Sequence, residues 1–167
     1  MKQKVVKKQN NSKMCFVCGM ENKFGLKAFF YELENEELVA TFTPKEIHQS
    51  YPGRLHGGIA STILDEAIGR AILMKNENMW GVTLELNVKF KKPVPYDEDL
   101  KVICKITKET SRTFEGAGRI VLPNGDIAVT AEGKYFKLPV NKITNADFTE
   151  DQWFNVEDEK DPKEIEI

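Results

Sequence analysis

The chain has 167 residues, with 24 lysines and arginines against 26 aspartates and glutamates and a formal net charge of −2 at pH 7. This length and the ordinary apolar and charged fractions, 41% and 30%, predict one globular domain with a sizeable core. The near balance of charge gives no electrostatic reason to expect a nucleic acid or membrane partner, and no apolar run approaches the ~20 residues of a membrane span. The basic N-terminus lacks a following apolar stretch, which argues against a signal peptide, and three cysteines fit a reducing compartment, so we expect a cytoplasmic protein.

Residues 1–13 are polar and basic, and we expect them to form a flexible tail. Cys15 and Cys18 follow as a C-x-x-C pair, which is half of a zinc site. The chain has no second C-x-x-C, and His48 and His56 complete four ligands only if the fold brings them together. A redox role requires a thioredoxin-like βαβ context, which is absent. We therefore expect a compact turn with small buried thiols, no metal and no cofactor.

Alternation of apolar and polar residues predicts six strands. They cover residues 26–33, 38–43, 82–90, 100–108, 113–122 and 127–138. The acidic run 34–37 and the Pro-Asn-Gly-Asp sequence at 123–126 predict hairpin turns. The connection 44–55 is long for a compact domain, and loops of that length often carry function.

The segment from Leu55 to Ile72 predicts one long helix that begins at the pair Gly57-Gly58. Its body is apolar on most sides, which is typical of a helix in a core. One helix cannot cover six strands as a separate layer, so we expect the sheet to curve around it. The predicted fold is α+β, with a curved antiparallel sheet of about six strands wrapped around one long central helix.

The helix carries one carboxylate in its middle, Asp65. A buried carboxylate costs several kcal/mol unless it is paired or protonated, so the presence of Asp65 on this helix requires an explanation. Glu66 is the rival, but it stands four residues before Arg70, and an i,i+4 ion pair predicts a structural role for it. A buried acid that bonds backbone is the alternative for Asp65.

Beyond residue 140 acidic residues accumulate, and we expect an acidic extension over 141–167 that is partly disordered. Phe148, Trp153 and Phe154 are expected to dock a short helix on the body of the protein. The last ten or so residues are expected to be loose.

His56-Gly57-Gly58 at the start of a helix, with Asp65 on the same helix, resembles the hotdog-fold acyl-CoA thioesterases. Within them the sequence is most similar to the PaaI-like type of the 4-hydroxybenzoyl-CoA thioesterase superfamily. The resemblance runs from about Cys15 to Leu138 and includes the alternating strand 82–90. It implies a hotdog domain over residues 14–140.

The resemblance also implies an assembly and an activity. Hotdog domains dimerise by joining two sheets edge to edge, often pairing again into a tetramer. The reaction implied is hydrolysis of an acyl-CoA thioester without a metal or a bound cofactor. The expected partners are therefore an acyl-CoA substrate and a second copy of this chain.

Thioester hydrolysis requires one group that holds the developing oxyanion and one that activates water. The free N–H groups and the positive dipole end of a helix suit the first task, and Gly57 and Gly58 let a thioester approach them. The resemblance implies that the Gly57 N–H is the oxyanion donor. It leaves Asp65 as either a general base or a nucleophile that forms a transient anhydride.

Gly57 and Asp65 are eight residues apart, which corresponds to roughly 12 Å along a helix axis. One carbonyl and its attacking water cannot span that distance. We therefore expect each site to combine Gly57 of one subunit with Asp65 of another, on helices that lie side by side and antiparallel.

Other residues are expected to assist. The family often has Asn or Gln six positions before the His of the HGG motif; Ser50 stands there in this chain, and Gln49 beside it is a substitute, ahead of His48. Thr83 matches a hydroxyl that holds the water in some relatives, with an ordinary strand residue as the alternative. His56 is expected to pack and cap the helix. The full candidate catalytic set is Asp65, Gly57, Gly58, Gln49, Ser50, Thr83 and His56.

The phosphates of CoA require cations near the protein surface. Candidates close to predicted strand ends are Lys89, Lys91, Lys92, Arg112 and Arg119, of which Lys91, Lys92 and Arg112 are preferred. The acyl pocket is expected between the helices and the loop 44–55.

Three other functions compete with hydrolysis. A non-catalytic acyl-CoA sensor with the same fold is the main alternative, and Asp65 with its glycine pair favours catalysis over it. A hotdog dehydratase uses a catalytic His in a different motif, whereas His56 directly precedes the glycine pair as in thioesterases. A zinc-dependent module would use Cys15 and Cys18.

Overall fold

A computed structural model describes residues 1–167 and contains one α-helix and twelve strands. The strands are β1 Lys2–Lys8, β2 Asn11–Ser12, β3 Phe29–Leu33, β4 Leu38–Phe42, β5 Gln49–Tyr51, β6 Arg54–Leu55, β7 Trp80–Phe90, β8 Leu100–Glu109, β9 Thr113–Val121, β10 Ile127–Leu138, β11 Trp153–Phe154 and β12 Glu164–Glu166. The helix α1 is Gly57–Arg70, and a 3₁₀ turn over Ala71–Met74 continues it. Neither is long and apolar enough to cross a membrane.

Eight strands form one antiparallel sheet in the order β12-β1-β3-β4-β8-β9-β10-β7. The six predicted strands are confirmed as β3, β4 and β7 to β10, with ends shifted by up to three residues. Helix α1 packs against β4 and β7 to β10, which confirms the α+β fold with one central helix. The predicted number of about six strands is too low, because β1 and β12 extend the sheet at one edge.

The helix and the sheet approach closely at the middle of α1. Ile63, Leu64 and Ile68 are fully buried, and each such side chain contributes about 1.5–3 kcal/mol by leaving water. A Cβ at Gly116 of β9 would lie 2.6 Å from Cγ2 of Ile68, so only glycine fits at that point. The apolar character of the helix is thus explained by the sheet that covers it.

The N-terminal segment is not the flexible tail that the sequence predicts. Strand β1 pairs with β3 on one side and with β12 on the other, and the last strand brings Ile165 into a small core beside β3 and β4. The register places Lys2 opposite Glu166 and Lys4 opposite Glu164. Opposite charges placed across two strands favour their pairing, so the basic start and the acidic end of the chain are both held in the sheet rather than loose.

The aromatic residues of the C-terminal extension dock as predicted, but not on a helix. Trp153 and Phe154 form β11, which pairs with β2. The Trp153 ring lies 4.7 Å from the Trp80 ring between centroids, and Phe148 lies 5.4 Å from Trp80 on the same cluster. The expected short helix was wrong because this segment obtains its hydrogen bonds from β2 instead.

A partly buried ion pair holds the C-terminal extension to the sheet. The Lys8 ammonium donates to Oδ1 and Oδ2 of Asp161 at 2.6 and 2.8 Å, and the Tyr31 hydroxyl donates to Oδ1 at 2.8 Å. Only 9% of the Lys8 side chain is exposed. Burial opposes ionisation of Asp161, but the hydrogen bonds from Lys8 and Tyr31 outweigh it and lower the pKa of this carboxyl.

We predict that Asp161→Asn lowers the free energy of unfolding at pH 7 by about 2 kcal/mol, because the buried Lys8 loses its counter-ion. A lowered folded-state pKa gives stability that is present above the unfolded pKa, ~3.9, and is lost as pH falls through the folded value. Urea unfolding at pH 7 and at pH 3 tests this. The difference between wild type and variant is expected to shrink at the lower pH.

The matched control is Asp147→Asn, which removes an exposed carboxylate from the same extension. It is expected to change the free energy of unfolding by less than about 0.5 kcal/mol. Equal stabilities of Asp161→Asn and Asp147→Asn at pH 7 would show that the extension is not held in this way.

Candidate active site

The N-terminus of α1 presents one backbone donor that no protein group uses. His56 is the N-cap residue, and its Nδ1 accepts a hydrogen bond from the Gly58 N–H at 2.9 Å, which confirms the predicted capping. The N–H groups of Ile59 and Ala60 are bonded to the His56 carbonyl. The Gly57 N–H has no protein acceptor, as the first residue of a helix has no intrahelical partner.

An open groove of about 410 Å³ lies at this end of the helix. Its lining includes Ser50 and Tyr51 of β5 together with Gly57 and Phe90. A Cβ at Gly57 would lie 3.3 Å from the Phe90 ring, so glycine keeps the passage beside β7 open. The structure thus brings Ser50 to the candidate oxyanion donor.

The other two loop candidates lie elsewhere. Gln49 is exposed on β5 and does not line the groove. His48 is 3% exposed, accepts from the Lys45 N–H through Nδ1 at 2.9 Å and bonds the Phe24 carbonyl through Nε2 at 2.7 Å. Because both ring nitrogens are hydrogen-bonded to backbone groups, His48 holds the loop 44–55 in place.

Asp65 lies in the middle of α1 and is held by two hydroxyl groups. Its Oδ1 accepts a hydrogen bond from Thr83 Oγ1 at 2.9 Å and one from Tyr135 Oη at 3.0 Å. A small cavity of about 90 Å³, lined by residues that include Asp65 and Thr83, adjoins them. In the single chain Asp65 is half-buried rather than fully buried as expected, because β7 is an open edge. The contact predicted to involve Thr83 is present, and its catalytic role stays a prediction.

The sequence reasoning missed Tyr135. This residue is fully buried on β10, and burial together with the charge of Asp65 raises the pKa of its hydroxyl, which keeps it a donor to that carboxylate. A Cβ at Gly133 would lie 2.5 Å from the tyrosine ring, so the glycine makes room for it. The sequence did contain a signal for this residue. Alternate positions of a strand share one face, so Ala131, Gly133 and Tyr135 point into the core together, and a buried tyrosine hydroxyl requires a hydrogen-bond partner.

Glu66 has the ion pair that the sequence predicts. Its Oε1 lies 3.0 Å from the Arg70 Nη2, and that guanidinium also donates to the Asn10 carbonyl at 2.8 Å and to the Cys18 sulfur at 3.0 Å. The hydrogen bond from Cys15 and the charge of Arg70 lower the pKa of the Cys18 thiol, although burial opposes this. Glu66 therefore carries a cation partner, whereas Asp65 is bonded only to neutral hydroxyls.

Both parts of the candidate site lie beside strand β7. Phe90 lies against Gly57, and Thr83 bonds Asp65, so both half-sites open on the same strand. Strand β7 is the last strand of the sheet, and 56% of Leu84 and 57% of Phe90 are exposed along it. An open edge with exposed apolar side chains is typical of a strand that pairs with another chain.

The structure divides the predicted phosphate-binding cations into two places. Lys91 and Lys92 line the groove beside Gly57, and their N–H groups bond the Ala128 carbonyl at one end of β10. Arg112 lies at the other end, where its carbonyl accepts from the Lys137 N–H. In one protomer the three cations therefore do not form a single cluster.

Lys89, Lys91, Lys105 and Arg119 line a second groove of about 380 Å³. Lys92 is not free in the single chain, because its ammonium lies 2.7 Å from Asp126. Lys91 is the one preferred cation that reaches both grooves.

Known proteins of the thioesterase superfamily are similar to the middle of this chain. The model of the thioesterase superfamily matches residues 52–129, a stretch that contains both half-sites. Acyl-coenzyme A thioesterase 13 of Mus musculus is 26% identical over 74 residues, which cover 44% of this chain and 53% of that protein. The match spans about half the length of the curated relatives.

Solved structures share the fold. A thioesterase superfamily protein has a TM-score of 0.68 and 27% identity, with coverage of 73% of this chain and 59% of that one. The PaaI protein of the E. coli phenylacetic acid degradation operon has a TM-score of 0.60 and 17% identity, with coverage of 68% and 80%. The family model over residues 52–129 and the shared sheet and central helix thus show that this chain is similar to thioesterase superfamily proteins and has their hotdog fold.

Proposed function

We propose that this protein hydrolyses an acyl-CoA thioester to a free acid and CoA. The observation that carries the proposal is the pair of half-sites on α1: an unused Gly57 N–H at its start and a carboxylate, Asp65, held by two hydroxyls in its middle. A relative named as an acyl-coenzyme A thioesterase is 26% identical to this chain over 74 residues, which supports CoA as the carrier.

The start of the helix suits the developing oxyanion. Attack on a thioester carbonyl places negative charge on its oxygen, and a fixed N–H donor at a positive helix end stabilises that charge without reorganising. The Gly58 N–H is occupied by His56, so Gly57 supplies the donor and Gly58 supplies the space for the capping ring. Ser50, which lines the same groove, is placed to contact the substrate.

Asp65 supplies the second function. Thr83 and Tyr135 both bond Oδ1, which fixes the carboxylate orientation and leaves Oδ2 for a water molecule or for the thioester carbon. As a general base Asp65 takes a proton from water; as a nucleophile it forms a mixed anhydride that water then cleaves. Both routes end in the free acid and the CoA thiol.

A second copy of the chain completes the site in this proposal. Gly57 and Asp65 are eight positions apart on one α-helix, roughly 12 Å along its axis, which is too far for one carbonyl and its water. If β7 pairs antiparallel with β7 of a second copy about a centre near Leu86, Thr83 of each copy lies beside Phe90 of the other. Asp65 of one copy then faces Gly57 of the other.

The same pairing gathers the cations for CoA. Antiparallel β7 strands bring the Arg112 end of one copy towards the Lys91 and Lys92 end of the second. Three cations from two chains then surround one groove, which suits the pyrophosphate and 3′-phosphate of CoA. Pairing two such dimers into a tetramer is the further assembly that the family resemblance implies.

We predict that the wild type releases CoA from at least one member of an acyl-CoA panel, measured by free-thiol detection, and that Asp65→Asn loses at least about two decades in kcat. Asn keeps the shape and the acceptor for Thr83 and Tyr135, so the variant is expected to fold. Asp147→Asn, which changes an exposed carboxylate in the same way, is expected to keep full activity.

Two outcomes would contradict this function. Equal rates for wild type and Asp65→Asn would remove the carboxylate from the mechanism. A wild type that binds CoA but hydrolyses no thioester would identify the protein as a non-catalytic acyl-CoA sensor.

We predict that Gly57→Pro lowers kcat by about 10²–10³, because proline lacks the N–H that holds the oxyanion. Proline suits the first position of a helix, and the preceding His56, at φ −64° and ψ 132°, has the extended conformation that proline requires. Gly57→Ala keeps the N–H and is expected to lose less than about tenfold. Similar losses in the two variants would show that crowding against Phe90, rather than the missing donor, is responsible.

A further inference from the structure

The C-x-x-C turn between β2 and β3 is packed against α1, outside the candidate active site. The Val17 N–H donates to the Cys15 sulfur at 3.3 Å, and the Gly19 N–H donates to the Cys15 carbonyl at 2.8 Å. A Cβ at Gly19 would lie 2.3 Å from that carbonyl oxygen, so the tight turn requires glycine. The turn fixes two sulfur atoms on one side of a short loop.

These two sulfurs meet a carboxylate from the helix. The ligand atoms of Cys15, Cys18 and Glu66 all lie within 4.8 Å of one another, and the Cys15 sulfur is 3.9 Å from Oε1 of Glu66. Around a tetrahedral zinc ion with Zn–S of about 2.3 Å and Zn–O of about 2.0–2.2 Å, neighbouring ligand atoms are roughly 3.4–3.8 Å apart. Small side-chain movements therefore suffice to close the three ligands on one ion.

The local charges balance when a divalent cation is added. Two thiolates and one carboxylate carry three negative charges, and the neighbouring Arg70 supplies only one positive charge. Arg70 is 4% exposed and lies over the rings of Phe30 at 4.0 Å and Trp153 at 4.7 Å, so it cannot turn away. Its N–H groups reach Cys18 and Glu66 as the outer hydrogen bonds that orient metal ligands commonly do.

A thiol–disulfide role fits the same residues less well. Cys18, the thiol beside the Arg70 cation, is 1% exposed and cannot meet a disulfide substrate. Cys15 is more accessible but faces the carboxylate of Glu66, which disfavours a free thiolate there. The turn is therefore better arranged to close on an ion than to present a nucleophilic sulfur.

We propose that Cys15, Cys18 and Glu66 bind a thiophilic divalent cation, zinc, with the fourth coordination position taken by water. His48 and His56, which the sequence offered as further ligands, are bonded elsewhere, so Glu66 is the third ligand. The ion joins the N-terminal turn to α1 at the residue directly after Asp65. This site does not depend on the proposed hydrolysis.

The test is metal content and metal uptake of the full chain purified without chelators. We predict about one zinc ion per chain by elemental mass spectrometry. After the zinc is removed with a chelator, we expect the protein to take up Co²⁺ and to show the thiolate-to-metal absorption of a sulfur site. Cys15→Ser and Cys18→Ser are expected to lose both signals. Glu66→Gln is expected to weaken zinc binding by at least about tenfold, since even outer partners of a ligand cost that much.

Cys104→Ser is the matched control. Cys104 is a buried thiol on β8 that donates to the Ala67 carbonyl at 3.2 Å, away from the turn, and its variant is expected to keep the ion. Two results would overturn the proposal: wild-type protein that neither contains zinc nor takes up Zn²⁺ or Co²⁺ at about 10 μM, and an intact mass lower by two hydrogens, which identifies a Cys15–Cys18 disulfide. Because the uptake measurement uses the wild type, it remains decisive if a cysteine variant does not fold.

Discussion

The burial of α1 is the constraint on which the rest of this structure depends. Helix α1 lies in the main apolar core, and five strands of one sheet pack against it. Because the sheet must approach the helix closely, the facing strand β9 uses Gly116 where Ile68 projects. The same packing leaves one end of the helix open to a groove and leaves Asp65 against β7 at the sheet edge.

This constraint also explains how the carboxylate of Asp65, the candidate catalytic acid, is tolerated on a core helix. Asp65 is turned towards β7 and β10, where the hydroxyls of Thr83 and Tyr135 bond one of its oxygens. Glu66, one position further round, points to the N-terminal turn and is neutralised by Arg70. Adjacent acids on one helix thus have different surroundings: Asp65 is bonded to neutral hydroxyls, and Glu66 is part of a charged cluster.

Local patterns in the sequence were sufficient to predict most of the fold. Strand β7 alternates between apolar and polar residues over 82–90, and the glycine pair with a capping His56 marks the start of α1. The chain termini could not be predicted in this way. The pairing of Lys2 and Lys4 with Glu166 and Glu164 joins segments more than 150 residues apart, and each segment by itself reads as a solvated charge run.

The candidate site also has parts that the sequence predicts and parts that it does not. Asp65 and Gly57 were identified because they lie on one helix with a recognisable spacing, and the i,i+4 rule correctly paired Glu66 with Arg70. Tyr135 was missed, and Cys15 and Cys18 could not be connected to Glu66, because these contacts depend on how distant elements pack. Sequence spacing predicts which residues are neighbours within one helix or strand. Contacts between residues of different elements can be identified only once the fold is known.

The central claim is that each active site takes Gly57 from one chain and Asp65 from another. The most direct test mixes Gly57→Pro and Asp65→Asn subunits, each inactive by itself, under conditions that allow subunits to exchange. Random pairing makes half of the dimers mixed, and each mixed dimer restores one of its two sites, so about a quarter of wild-type activity is expected. Activity no higher than that of the separate variants, with subunit exchange demonstrated by mass spectrometry, would contradict the shared site.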